Sequence, residues 1–204
     1  MARVLILFAH PALEKSRVHR RLVREISDDP GLTFHDLYEA YPDFNVDVAR
    51  EQALLERHDV VVLQHPLFWY STPALLKQWE DLVLEHGWAY GSNGTALHGK
   101  RMVSVITTGG GASAYRADGL AGFTVRQFLV PIEQSARLCG MDYWPPYLIQ
   151  GTHHMTAADI EHAATRYRQF IELLRAERVE LSDSRVPTTL NEIVDPLLDA
   201  GGPP

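Results

Sequence analysis

The sequence has little cysteine. Cys139 stands alone among 204 residues, so no intrachain disulfide can form; that fits a reducing compartment. No apolar run approaches the ~20 residues of a membrane-spanning helix. The opening run from Val4 to Phe8 is short and meets His10-Pro11 rather than a small-residue cleavage site, so it reads as a buried strand and not a signal peptide. Positive charge is scarce: 19 Lys and Arg stand against 26 Asp and Glu, a formal net charge of −7. This balance argues against nucleic acid as a partner and against a polybasic membrane anchor. Neither G-x-x-x-x-G-K-[ST] nor G-x-G-x-x-G occurs, which removes a P-loop and a Rossmann fingerprint. His10, His65, His98 and the pair His153-His154 have no H-E-x-x-H or clustered carboxylate beside them, and no metal site is expected. Gly111-Ala112-Ser113-Ala114-Tyr115 breaks G-x-S-x-G at its last position, against a serine hydrolase. The remaining expectation is a cytoplasmic globular protein, long enough to build a full core.

The apolar patterns are those of an α/β chain. Continuous runs at 4–8 and 60–63 suit strands buried on both faces, and 32–37, 101–108 and 143–150 complete a set of five. Helical spacing runs over 17–26 behind Ser16 as a cap, over 47–57, and after Pro73 through Leu75, Leu76, Trp79, Leu82 and Val83. Further helices are expected over 125–138 and 157–177. Asp28-Asp29-Pro30-Gly31 stops the first helix. Alternating strands and helices at this spacing predict right-handed βαβ units and a three-layer α/β/α sandwich with a five-stranded parallel sheet. The flavodoxin-like order 2-1-3-4-5 fits, with its ligand crevice where the order reverses, between strands one and three. One domain over 1–178 is expected. Residues 179–204, with Ser182-Asp183-Ser184, Pro187, Pro196 and Gly201-Gly202-Pro203-Pro204, read as an extended or mobile tail. Its Leu190, Ile193, Val194, Leu197 and Leu198 have helical spacing that could cover a neighbour.

Three loops follow strand ends and carry unusual residues. The first runs from Ala9 to His19 into a helix capped by Ser16. Free N–H groups at such a helix start suit a phosphate, with Arg17 and His19 as further donors; the plain alternative is a cap without a ligand. The second, from Gln64 to Pro73, holds Phe68-Trp69-Tyr70. Planar ligands stack on exposed aromatics; the plain alternative is packing beneath the next helix. The third, from Thr107 to Tyr115, holds Gly109-Gly110-Gly111, where backbone can approach a ligand closely. Tyr115 could donate to developing negative charge; the plain alternative is a flexible turn. In the expected topology all three loops lie at carboxyl ends of strands, where one ligand could touch them all.

Together with Tyr41-Pro42-Asp43-Phe44, Gln64-His65-Pro66-Leu67, Trp69-Tyr70-Ser71, Pro73-Ala74-Leu75-Leu76-Lys77, His86-Gly87-Trp88-Ala89-Tyr90-Gly91, Gly94-Thr95-Ala96-Leu97-His98-Gly99-Lys100 and Thr107-Thr108-Gly109-Gly110-Gly111, these segments carry a resemblance. The chain resembles the flavodoxin-like NAD(P)H:quinone oxidoreductases, and among them the ancillary flavoproteins of bacterial glutathione-gated potassium-efflux systems. The resemblance implies ping-pong hydride transfer through bound FMN, with FAD as the alternative, from NADPH or NADH to a quinone. It implies that His10, Ser16, Arg17, Val18 and His19 hold the flavin phosphate and ribityl chain. Pro66, Leu67, Phe68, Trp69 and Tyr70 would contact the isoalloxazine, with Trp69 packing on it. Thr107, Thr108, Gly109, Gly110 and Gly111 would bond its polar edge, and Tyr115, Gly110 and Gly111 would stabilise charge on the reduced flavin. A histidine that large members place six residues beyond this tyrosine is Ala121 here. Arg17-Val18-His19 replaces their Phe-Asn pair.

The resemblance also implies a homodimer in which Tyr90 and Trp69 line the substrate pocket, Tyr90 reaching the neighbour's flavin. It implies a second function class: a regulatory subunit docking on a cation:proton antiporter at the inner membrane, with its redox activity secondary. The basic face over 17–24 could meet an acidic surface there, or simply be solvated.

Overall fold

All five residues of β1 (Val4–Phe8) are buried, as its unbroken apolar run requires of a strand covered on both faces. In the computed structural model, which describes residues 1–26, 29–181 and 187–200, β1 pairs in parallel with β2 (Leu32–Asp36) on one side and β3 (Val60–Pro66) on the other. β4 (Arg101–Thr108) lies beyond β3. The far edge is held by β5 (Asp142–Tyr143), on Arg101 and Met102, and by β6 (Tyr147–Gln150), on Val105 to Thr108. The order is β2-β1-β3-β4-β5, with β6 also on β4. This is the expected flavodoxin-like α/β arrangement.

The single edge strand expected over 143–150 is two pieces. Pro145 and Pro146 interrupt it, because proline has no N–H to give to the ladder.

Alternation along the strands sends side chains to two faces. Leu5, Leu7, Val61 and Leu63 join one core with Leu75, Leu76 and Trp79 of α4 (Ala74–Val83). Under the same face lie α2 (Leu37–Ala40) and α3 (Val48–Arg57). Val4, Ile6, Val62 and Val103 join the other core with α1 (Arg17–Arg24) and α7 (Ala157–Arg175). Asp47 caps α3 by accepting from the Arg50 N–H at 3.1 Å. The helix expected over 125–138 is broken into α5 (Val125–Phe128) and α6 (Val130–Leu138). Pro131, in the first turn of α6, cannot continue the hydrogen bonding of α5.

Part of the C-terminal extension departs from an extended tail. Residues Asn191–Asp199 form α8. Leu190 and Val194 are fully buried in the core on the α1–α7 side of the sheet. Arg166 of α7 pairs with Asp195 and Asp199, each at 2.8 Å, and the Asn191 side chain bonds the Leu148 backbone in both directions. Leu190 and Val194, with Leu198 packed against the same core, thus find partners within this chain, while Leu197 stays exposed. Asp28, Ser182-Asp183-Ser184 and Gly201-Gly202-Pro203-Pro204 lie outside the described residues. No helix among the described residues is long and apolar enough to cross a membrane.

Candidate functional site

β1, β3 and β4 end side by side, and the loops that follow them enclose a cleft of about 580 Å³. That lies within the ~300–1,000 Å³ usual for small-molecule sites. His10, Ser16, Arg17, Val18 and His19 line it from the first loop. Pro66, Leu67 and Phe68 do so from the second, and Thr107 and Gly109 from the third.

The first loop is arranged to receive an anion. A helix leaves its first four N–H groups without helical partners. Two of these are satisfied: Ser16 Oγ accepts from His19 N–H at 3.1 Å, and Ser16 N–H donates to the Leu13 carbonyl at 3.0 Å, while Arg20 N–H makes the first regular helical bond, to the Ser16 carbonyl. The N–H groups of Arg17 and Val18 remain at the positive end of the helix dipole. No acidic residue occupies the first turn, and Lys15 and Arg17 stand on the cleft wall.

Three buried histidines gather here, His10 and His19 on the lining and His65 off it, each biased towards its neutral form. His10 Nδ1 accepts from Ala12 N–H at 3.1 Å, which assigns its proton to Nε2. Burial lowers its pKa, with Glu14 opposing. His19 Nε2 lies 2.8 Å from Thr107 Oγ1, while its Nδ1 is buried without a partner. Burial, with the nearby His10 and His65, holds its pKa well below the ordinary value. His65 Nδ1 lies 2.9 Å from the Pro66 carbonyl and its Nε2 has no partner; burial pushes its pKa down to about 4. The His10 ring meets His19 edge-on at 5.0 Å and Phe68 at 5.5 Å.

The second loop is strained. Ser71 N–H donates to the Phe68 carbonyl at 3.0 Å, closing a tight turn. Its central residues, Trp69 at φ 49° and Tyr70 at φ 63°, both adopt the left-handed conformation that such turns usually give to Asn-Gly. Each non-glycine residue held so costs roughly 1–3 kcal/mol, and such strain collects at functional sites. Trp69 is 93% exposed, and Tyr70 stacks on Phe128 at 5.0 Å.

The third loop is tied to the chain after β6. Gly151 N–H donates to the Gly110 carbonyl at 2.9 Å and Thr152 N–H to the Thr108 carbonyl at 3.0 Å. Thr108 Oγ1 donates to the Gly110 carbonyl at 2.7 Å. A Cβ on Gly109 would lie 2.4 Å from the His153 ring, so only glycine fits there without moving His153. A Cβ on Gly110 would lie 3.4 Å from the Tyr115 ring, which puts the tyrosine against the glycine loop. Burial foremost, with Tyr70 nearby, raises the Tyr115 pKa and keeps its phenol protonated as a donor.

Trp69, Tyr70, Thr108, Gly110, Gly111 and Tyr115 belong to these same loops but are not on the cleft lining. Tyr90 is not on that lining either. Its loop ends at the amino-terminal end of the strands, where Gly99 N–H donates to the Gly140 carbonyl and Lys100 Nζ to the carbonyls of Glu56 and His58, and Trp88 Nε1 donates to Glu56 of α3 at 3.0 Å. Tyr90 packs edge-on against His86 and into its own core. Ala12, Lys15, Thr152 and His153 line the cleft without having been singled out for it. Thr152 and His153 follow the carboxyl end of β6, the same strand-end position that marked the other loops.

A flavin phosphate fits the donor set of the first loop, and a flat ring fits the aromatic second loop. The Flavodoxin_2 family model, described as a flavodoxin-like fold, matches residues 2–171. An uncharacterized NAD(P)H oxidoreductase, YrkL, of Bacillus subtilis (strain 168) is 41% identical over 175 residues, spanning 86% of this chain and 99% of that protein. The glutathione-regulated potassium-efflux system ancillary protein KefF of Klebsiella aerogenes is 44% identical over 166 residues, spanning 81% and 93%. The crystal structure of general stress protein 14 from Treponema denticola in complex with FMN aligns with a TM-score of 0.78 at 39% identity, covering 84% of this chain and 99% of that one. The chain belongs to this flavodoxin-like family.

Proposed function

We propose that this flavodoxin-like chain is a flavin-dependent NAD(P)H:quinone oxidoreductase, with FMN as its resident cofactor, NADPH or NADH as reductant and a quinone as acceptor. One observation carries the reading: a helix start with free N–H groups and Phe68, the first residue of a strained aromatic turn, meet at one cleft at the strand ends. The FMN complex of a relative at 39% identity and the oxidoreductase name of another at 41% support it.

When bound, FMN would supply hydride acceptance from a nicotinamide and two-electron transfer to the quinone. The N–H groups of Arg17 and Val18, with Lys15 and Arg17, would hold the phosphate; FAD would make the same contacts there. His10, held neutral with its proton on Nε2, would donate to a neighbouring oxygen. The backbone of Leu67, Phe68, Trp69 and Tyr70 would frame the ring, and Trp69, already exposed, would close one side against water. Backbone N–H groups of Gly109, Gly110 and Gly111 and the Tyr115 hydroxyl are the donors assigned to developing negative charge. A homodimer would let Tyr90, which does not reach its own cleft, approach the partner's cleft and complete the substrate pocket.

The test is the visible absorption spectrum of the purified protein supplied with FMN or FAD. A stoichiometric flavin band that bleaches with NAD(P)H under anaerobic conditions and returns with quinone is expected. Absence of flavin uptake would overturn the reading.

A second reading is favoured by the KefF relative at 44% identity. The chain would dock on a potassium:proton antiporter as a regulatory subunit, cytoplasmic and peripheral at the inner membrane. Co-purification with the antiporter of the same source, retained in a variant unable to bind flavin, would establish docking independent of redox activity.

A further inference from the structure

We infer that the α1 face carrying Arg17, Arg20 and Arg24 is a second anion subsite, continuous with the cleft, that takes the adenosine-borne phosphate of a dinucleotide. The inference rests on the flavin reading above and extends it.

A groove of about 240 Å³ runs between α1 and α7, lined by Arg17, Arg20, Arg21 and Arg24 with Ile160 and Glu161 among its α7 residues. Arg17 lines both this groove and the cleft, so the two are continuous. The four arginines fall three and four residues apart, on one side of the helix. In a chain of net charge −7, four guanidinium groups here face one carboxylate.

That carboxylate is already committed. Arg21 holds Glu161 through its Nε at 2.7 and 2.8 Å and also pairs with Glu25. Arg17 gives one arm to the Met155 carbonyl at 3.0 Å. Among the described residues, the Arg20 guanidinium makes one long contact, to the Glu14 carbonyl at 3.5 Å. Arg24 forms no ion pair among the described residues. Like charges at this spacing repel, and Arg17 and Arg20 stand at the helix end where the dipole is already positive. An anion in the groove relieves both. Ile160, largely buried, forms the apolar floor of the groove.

Phosphate of this kind reaches the groove from two sources: the adenosine half of FAD, or the 2′-phosphate of NADPH beside resident FMN. The test uses the Arg20→Gln/Arg24→Gln double variant, with Arg20→Lys/Arg24→Lys to restore charge. 2′,5′-ADP is titrated calorimetrically into each protein, and the flavin-loaded forms are assayed with NADPH and NADH. A loss of about tenfold in 2′,5′-ADP affinity is expected for the Gln variant, restored by Lys. If NADPH is the source, its KM rises about as much while KM for NADH and FMN occupancy hold. If FAD is the source, FAD affinity falls relative to FMN and the nicotinamide KM values hold. The inference is overturned if 2′,5′-ADP binds the wild type and the Gln variant equally, or fails to bind the wild type. Should the protein take up no flavin, it is the oxidoreductase reading that fails, and the 2′,5′-ADP titration still decides the subsite.

Discussion

His19 Nε2 lies 2.8 Å from Thr107 Oγ1, a buried hydrogen bond that joins α1 to β4 at the back of the cleft. The two residues are 88 positions apart, and each lies on the lining. The contact holds the helix start that would receive a phosphate at a set distance from the glycine loop that would meet the ring.

Thr107→Val removes that partner and leaves both His19 ring nitrogens buried and unsatisfied, since Nδ1 already has none. A loss of about 1–3 kcal/mol is expected, read by urea denaturation. Flavin affinity should fall with it.

Acid should weaken the fold well above the carboxylate range. His65 has a folded-state pKa of about 4 against an ordinary 6.5, and His19 is lowered in the same direction. Below 6.5 the unfolded chain binds protons that the folded chain refuses, so stability is full above 6.5 and declines as pH falls towards 4. His65 accounts for roughly 3 kcal/mol of that decline. Denaturation midpoints at pH 7.5, 5.5 and 4.5 should show it, and His65→Asn should flatten the slope.

Trp69→Gly relieves a left-handed residue. Stability should hold or rise by about 1 kcal/mol, while flavin affinity or quinone turnover drops because the exposed ring is gone. A thermal melt and a flavin titration on the same sample separate the two effects.

Gly109→Ala places a methyl group 2.4 Å from the His153 ring. His153 is exposed and can swing away, so the melt should move little. The cleft wall changes, and the flavin dissociation constant should rise several-fold; an unchanged value would mean that His153 does not shape the site.

Leu190→Ala tests the docking of the C-terminal segment. Leu190 is fully buried, so a loss of about 2–5 kcal/mol is expected, the size seen for core leucines. A segment that did not pack would show no change.

Much of this was legible from local pattern. The runs at Val4 and Val60 announced strands buried on both faces, and Ser16 announced the start of α1. Since helices return the chain to the amino end after each parallel strand, loops with unusual residues could be assigned to one end of the sheet. Their meeting at one cleft follows from that rule. The edge strand and the helix after Thr124 were read too simply, because Pro145, Pro146 and Pro131 break hydrogen bonding within otherwise continuous apolar patterns.

The sequence by itself determined the parallel α/β order and the three loops, because buried-run length, helical spacing and capping are local properties. Tertiary structure alone decided the rest. Whether Leu190 and Val194 cover a neighbour or their own core depends on a surface that distant residues build. Thr152 and His153 reach the cleft because β6 runs alongside β4. Trp69 and Tyr70 accept left-handed backbone because the turn at the end of β3 demands it. Arg20 and Arg24, both still exposed, line a groove only because α7 packs beside their helix. Each of these is a contact between segments far apart in the chain, set by packing that no local pattern encodes.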